Sequence, residues 1–257
     1  MGADASSIGI LVPAFIAGLL VTATHVPLGF EVLKRGIVFI DLAIAQIAGV
    51  GVILADAFGW EPHGAAVQVA ALAAALAAAL MLTWTEKRWP DVQEAIIGVV
   101  FMLGSTGAIL LLASNPHGGE HLKDLLIGQI LWANPSMLPL EALAYAAILG
   151  VWFGLRERLG RIGFYVLFAC AVTISVQLVG LYLVFATLIM PALATRYATR
   201  RRYFKAYAVG VLGYVAGLLA SLWLDQPSGA MIVWAMALVA VLMAGLERRP
   251  QIDKPPG

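Results

Sequence analysis

Long apolar stretches alternate along this chain with short polar breaks, and most are close to the length of a membrane-crossing helix. They fall at Ile8–Gly29, Gly36–Phe58, Gly64–Trp84, Glu94–Ala113, Leu138–Leu155, Phe164–Ala194, Ala206–Leu224 and Met231–Leu246. Runs of about 18 or more apolar residues are spanning candidates. The dyad alternation of a membrane barrel is absent. The pattern predicts an all-α, polytopic helical membrane protein that occupies 1–257 as a single transmembrane domain. Composition agrees: 61% of residues are hydrophobic and mean hydropathy is +0.91, where a soluble domain is roughly 45–50% apolar. The Ala-rich run Ala70–Leu80 is expected inside the bundle, because small side chains let helices approach closely in lipid.

Phe164–Ala194 does not fit one span. Its ~31 residues would make a helix of about 46 Å, too long for ~30 Å of hydrocarbon and too short to cross it twice. Arg161 precedes it and Arg196 follows it, which places both ends on one side. A broken, re-entrant helix pair with its break at Gly180 and its return near Pro191 satisfies both facts, for about 8–9 segments in all. Such breaks are tolerated where they are buried in protein or line a cavity.

Basic residues set the expected orientation. Lys34, Arg35, Lys87, Arg88, Arg156, Arg158, Arg161, Arg196, Arg200, Arg201, Arg202 and Lys205 sit in alternate connections, and Arg248, Arg249 and Lys254 close the chain. Asp56–His63, Asn115–Asp124 and Asp225–Ser228 are nearly free of Lys and Arg. The N-terminus is therefore expected outside and the C-terminus in the cytoplasm of a bacterial-type inner membrane. No basic stretch precedes the first apolar run, so the first span is expected to act as its own insertion signal. Trp60, Trp84, Trp89, Trp132 and Trp223 fall near span ends, as interfacial anchors do.

The net charge of +1 is uninformative, but too few basic residues lie outside the loops to build a phosphate-binding face, so no nucleic-acid partner is expected. Cys170, the one cysteine, lies in an apolar run and excludes an intrachain disulfide or thiolate cluster. No G-x-x-x-x-G-K-[ST] loop is present, so energy from ATP must come through another subunit.

Few residues carry chemistry. His117, Glu120 and His121 lie within five positions in a loop expected to face outward. Imidazole and carboxylate are ligands that Zn²⁺ and Mn²⁺ accept. The spacing also matches H-x-x-E-H, a metallohydrolase pattern that needs a helix; Pro116, Gly118 and Gly119 oppose one. Asp41 is a carboxylate near the start of the second span, with Gln46 five residues on. An ionisable group at span depth costs a few kcal/mol and is a functional candidate by default. His25 sits just before Pro27, where it is either a metal ligand or the partner of the carbonyl that the proline leaves free. His63, near Asp56 and Glu61, is a secondary metal candidate. Gln68, Gln93, Glu94, Gln129, Glu141 and Gln177 are expected as interhelical hydrogen-bonding groups, with Gln177 the best placed for a pathway role.

Two blocks of sequence add a resemblance. Pro27-Leu28-Gly29 followed by Arg35, Phe39 and Asp41, and Ser175–Phe185 running into Leu188–Arg196, resemble blocks of the zinc/manganese permeases of ATP-binding-cassette transporters. Asp124–Leu131 is similar to the region between them. The resemblance implies an all-helical permease, usually a homodimer, with two cytosolic ATPase subunits and an extracytoplasmic metal-binding protein as partners. It also implies Zn²⁺ or Mn²⁺ as transported substrate, with no permanently bound cofactor. Family members place an Asp and a His four residues apart on the second span. Asp41 matches the Asp, but the His position holds Ala45, with Gln46 beside it. His117, Glu120 and His121 lie outside the family pattern. A cytoplasmic segment of some twenty residues expected to dock the ATPase is reduced here to Arg156–Gly163. Coupling then falls to Arg196–Lys205 or to another energy source.

The reading that results is a permease subunit of a divalent-metal importer. His117, Glu120 and His121 receive the ion, and Asp41 holds it at depth with Gln46, His25 or Gln177. Two readings from other classes stand beside it: an intramembrane metallohydrolase built on His117, Glu120 and His121, and a non-transporting membrane scaffold.

Overall fold

The computed structural model describes residues 5–60, 64–112 and 130–246. Among them there is no strand. The helices are α1 (Ala5–Arg35), α2 (Ile40–Ala57), α3 (Ala65–Arg88), α4 (Gln93–Leu112), α5 (Leu138–Val179), α6 (Leu181–Ala194), α7 (Arg202–Leu224) and α8 (Ser228–Leu246). Short 3₁₀ turns at Pro90–Val92 and Ile130–Trp132 lead into α4 and precede α5. Among the described residues eight segments are long and apolar enough to cross a bilayer; α5 supplies two, Leu138–Leu155 and Glu157–Val179. Leu103, Leu110, Leu143, Leu219, Trp234 and Val241 lie exposed on the outside of the bundle. An apolar exterior of this kind is stable only in lipid. The protein is a polytopic helical membrane protein.

The stretch 156–163, expected as a connecting loop, is instead continuous helix broken at one residue. Gly160 takes φ 58°, ψ −157°, a conformation open almost only to glycine. The two limbs then fold back on each other: the rings of Trp152 and Phe164 lie 5.9 Å apart, and Tyr145 Oη and Ser175 Oγ share a 2.7 Å hydrogen bond. One left-handed residue reverses the chain with no loop at all, which polar composition alone cannot signal.

The break expected at Gly180 is present. Gly180 has φ 86°, ψ 161°, and separates α5 from the 14-residue α6. At 1.5 Å per residue α6 is about 21 Å long, too short to cross ~30 Å of hydrocarbon. It continues past Pro191 to Ala194, with the Thr195 hydroxyl donating to the Pro191 carbonyl at 2.8 Å. α6 is wedged among α1, α2, α5, α7 and α8, and Leu181, Leu183, Val184, Thr187 and Leu188 are buried. Gly29 of α1 is what lets it in, because a side chain there would collide with the Leu188 carbonyl.

Two registers position the candidate site. α1 and α7 run antiparallel: Gly18 packs on Tyr214, Thr22 on Gly210, and Phe30 on Tyr203. α2 and α4 run parallel, with Asp41 near Glu94, Gln46 against Gly104, and Ile53 clustered with Ala108 and Leu112. α3 returns between them. Its Ala71, Ala75, Ala78 and Ala79 are buried while Val69, Leu80 and Trp84 are exposed, so the Ala-rich run packs inward on one face only. The ends carrying the basic residues gather together: Arg161 reaches Glu86 at 3.5 Å, Arg35 lies over the Phe164 ring at 4.3 Å, and Arg202 over Phe30 at 4.0 Å.

Candidate functional site

At the basic end of the bundle, α2 begins inside the protein. Phe39 precedes it and stacks on Phe185 of α6, centroids 5.9 Å apart and planes 5° from parallel. Asp41, the second residue of α2, is wholly buried. Neither of its carboxylate oxygens has a hydrogen-bond partner. The first-turn amides of Asp41 and Leu42 lie beside the carboxylate, and an anion is favoured at a helix N-terminus. That helps but does not satisfy two buried oxygens. An unsatisfied charged group away from water is costly enough that it ordinarily marks function.

Glu94 stands opposite, in the first turn of α4. Its Oε1 accepts a hydrogen bond from the Phe39 N–H at 3.3 Å, across 55 residues of sequence, while its Oε2 is buried and unpartnered. The two carboxylates are within electrostatic reach of each other. Gln93, one position earlier, fixes the start of α4. Its amide oxygen accepts from the Thr85 hydroxyl at 3.0 Å, and its nitrogen donates to the Leu82 carbonyl at 2.9 Å and to Tyr165 Oη at 3.4 Å. Successive helical residues point about 100° apart. With Gln93 held against α3 and α5, Glu94 is turned toward α2. Gln93 and Glu94 are thus both the interhelical bonding groups expected of them.

Gln46 is buried further along α2, its Cβ side against Gly104 of α4. Ala45 is 4% exposed and close-packed, in the place where the resembling permeases carry an imidazole.

His25, on α1, is also wholly buried, 0% exposed. The carbonyl freed by Pro27 is that of Ala23, and it is taken by the Tyr207 hydroxyl at 3.1 Å, not by His25. His25 Nδ1 lies 3.1 Å from the Val21 carbonyl and 3.0 Å from Thr24 Oγ1. A carbonyl can only accept, so Nδ1 carries the proton and Nε2 presents a lone pair. Nε2 is buried and has no partner. A ring held through Nδ1–H with Nε2 free is the arrangement that metal-ligating histidines use. α1 and α2 share few contacts, and α6 packs on both.

The structure thus brings Asp41 together with Glu94, sets Gln46 further along the same helix, and keeps His25 apart. Among the described residues no three His, Cys, Asp or Glu side chains converge as a metal-binding group. Gln177 is exposed on α5 and is not a buried path residue in the single chain. Glu141, on the first limb of α5, has a buried unpartnered Oε2 near Tyr145. His117, Glu120, His121 and His63 lie outside the described residues. Also at the basic end, a cleft of about 330 Å³ is lined by Glu31, Lys34, Arg35, Trp152, Glu157 and Gly160 among others. Arg35 Nε donates to Glu31 Oε1 across one wall at 3.0 Å.

Comparison with known proteins places these features. The ABC 3 transport family matches residues 7–153 and 150–246, nearly the whole chain. The chain is 27% identical over 252 residues to the chelated iron transport system membrane protein YfeC of Yersinia pestis, covering 89% of this chain and 83% of that one. It is 21% identical over 260 residues to the high-affinity zinc uptake system membrane protein ZnuB of Haemophilus influenzae, covering 91% and 96%. Its fold superposes on a chain of PsaBC from Streptococcus pneumoniae with a TM-score of 0.74 at 20% identity, covering 91% of this chain and 90% of that one. Neither the metallohydrolase nor the scaffold reading finds support in these matches. The chain belongs to the ABC 3 transport family and is the membrane-spanning permease subunit of a metal ATP-binding-cassette transporter, with ATP hydrolysis on a separate subunit.

Proposed function

We propose that this permease moves Zn²⁺ or Mn²⁺ inward through a path that passes Asp41. The observation that carries the reading is the Asp41 carboxylate itself, wholly buried in an apolar bundle with both oxygens unpartnered. A passing divalent cation supplies the missing partner, and a site with few protein ligands lets the ion leave again. His25 Nε2 is a second buried lone pair of the right chemistry, reached along α1. His117, Glu120 and His121, expected from the sequence to face outward, would receive the ion from an extracytoplasmic metal-binding protein.

The gathering of Lys34, Arg35, Arg161 and Arg202 at one end supports a cytoplasmic location for that end. Cytosolic ATPase subunits would engage there, on Arg196–Lys205 and beside the Gly160 turn that stands where a longer docking segment is expected. The permease would work as a homodimer in the inner membrane, its N-terminus outside and its C-terminus in the cytoplasm.

The test is uptake of radiolabelled Zn²⁺ and Mn²⁺ by proteoliposomes that hold the permease and its ATPase. Asp41→Asn keeps the size of the side chain and removes its charge. Uptake is expected to fall at least tenfold with the melting temperature unchanged or raised, since an uncompensated buried charge is removed. Wild-type uptake in that variant would sink the reading.

A further inference from the structure

We infer that Tyr165 is a positioning residue of transport: it carries movement of the Gly160 turn to the start of α4, and through α4 to the metal path at Asp41. The inference rests on reading Asp41 as a station on that path and the basic end as the face that meets the ATPase.

The second limb of α5 leaves Gly160 with Arg161 and Tyr165 four residues apart, hence on one face. Both reach the junction of α3 and α4. Arg161 Nε lies 3.5 Å from Glu86 Oε2 in the last turn of α3. Tyr165 is wholly buried, and its hydroxyl accepts from the amide of Gln93, the first residue of α4, at 3.4 Å, with Glu86 beside it. Gln93 also accepts from the Thr85 hydroxyl at 3.0 Å and donates to the Leu82 carbonyl at 2.9 Å, so one amide joins three helices. The next residue, Glu94, accepts from the N–H of Phe39, the N-cap of α2, at 3.3 Å. Asp41 follows two positions later. Polar contacts thus run from the first turn after Gly160 to the helix start that presents Asp41. The two ends differ in freedom. Gly160 is exposed, a Cβ there would meet nothing within 4 Å, and Arg158, Arg161 and Ile162 around it are exposed too. The limb beyond is packed: Phe164 meets Tyr165, Trp152 and Phe168 at ring distances of 5.7, 5.9 and 5.6 Å. A partner pressing on the turn would tilt that limb as a body, because packed side chains transmit displacement. The Gln93 bonds lock α3 to α4, so their junction moves as one piece, and Arg161 and Tyr165 fasten it to the limb. Arg161 is half exposed, whereas Tyr165 is held where no water replaces a lost partner.

The experiment follows uptake of radiolabelled Zn²⁺ and Mn²⁺ and hydrolysis of ATP together, in proteoliposomes that hold the permease and its ATPase, and reads ions moved per ATP. Tyr165→Phe keeps the ring and removes the hydroxyl. Ions moved per ATP are expected to fall about fivefold or more, with hydrolysis within about twofold of the parent and the KM for metal unchanged, because the ion's own ligands are untouched. Gln93→Leu is expected to lose at least as much, and adding Tyr165→Phe to it to cost little more, since both break one contact. Tyr145→Phe removes a shorter hydroxyl bond between the two limbs of the same helix and is expected to keep the parent's ratio. A parent ratio in Tyr165→Phe would overturn the inference. So would uptake and hydrolysis that fall in step, as a general loosening of the bundle predicts. Asp41→Asn measured beside it separates the two readings. Lost uptake there, with a parent ratio in Tyr165→Phe, removes this inference alone; parent uptake in Asp41→Asn removes the path and the inference with it. Should Tyr165→Phe not fold, Arg161→Met takes its place. A ratio lowered about twofold is expected there, as for a half-exposed ion pair, and an unchanged ratio would overturn the route.

Discussion

Replacing Gly180 by alanine tests how the α5–α6 break holds the candidate site. Gly180 sits at φ 86°, ψ 161°, a region essentially closed to L-residues, where a side chain costs of order 1–3 kcal/mol. The alternative is for the chain to relax and run α5 into α6 as one helix. That would swing α6 out of its slot, lift Leu188 from Gly29 and unstack Phe185 from Phe39. Either route costs stability, and the second also disturbs the start of α2, where Asp41 and Glu94 meet. At about 2–4 °C per kcal/mol for a chain of this size, the melting temperature in nanodiscs is expected to drop by about 2–12 °C. Metal uptake should fall with it. The control is Gly107→Ala on α4, where an added methyl group meets open space inside a helix; alanine there should be neutral or stabilising by up to ~1 kcal/mol. A Gly180→Ala protein that melts with the parent and transports at the parent's rate would refute the claim that this left-handed residue holds α6 in place.

Other outcomes follow from the same geometry. His117→Ala combined with His121→Ala is expected to raise the apparent KM for metal more than it lowers the maximal rate, because a capture loop acts before the rate-limiting passage; an unchanged concentration dependence would reduce the loop to a linker. Tyr145→Phe removes the 2.7 Å bond to Ser175 that ties the two limbs of α5. It should lower stability by about 0.5–1.5 kcal/mol without changing the ions moved per ATP, read by thermal melts and by the proteoliposome assay.

Much of this protein could be read from local order in the chain. A span announces itself through its own twenty residues, because lipid demands apolar length and a satisfied backbone from each helix separately. The break at Gly180 was equally legible, since 31 residues fit neither one crossing nor two, and Asp41 stood out as a carboxylate in an apolar run. Tertiary contact decided the rest. The turn at Gly160 depends on one backbone conformation that a polar stretch does not advertise. The carbonyl freed by Pro27 went to Tyr207, a residue 184 positions from it, while the His25 ring bonds the Val21 carbonyl instead. Glu94 looked like one more polar residue at a helix start. Its partner, the Phe39 amide at the start of α2, came from the parallel register of α2 and α4. Composition can show that a charge is buried, but which groups share its burial depends on helix packing, and no spacing along the chain encodes that.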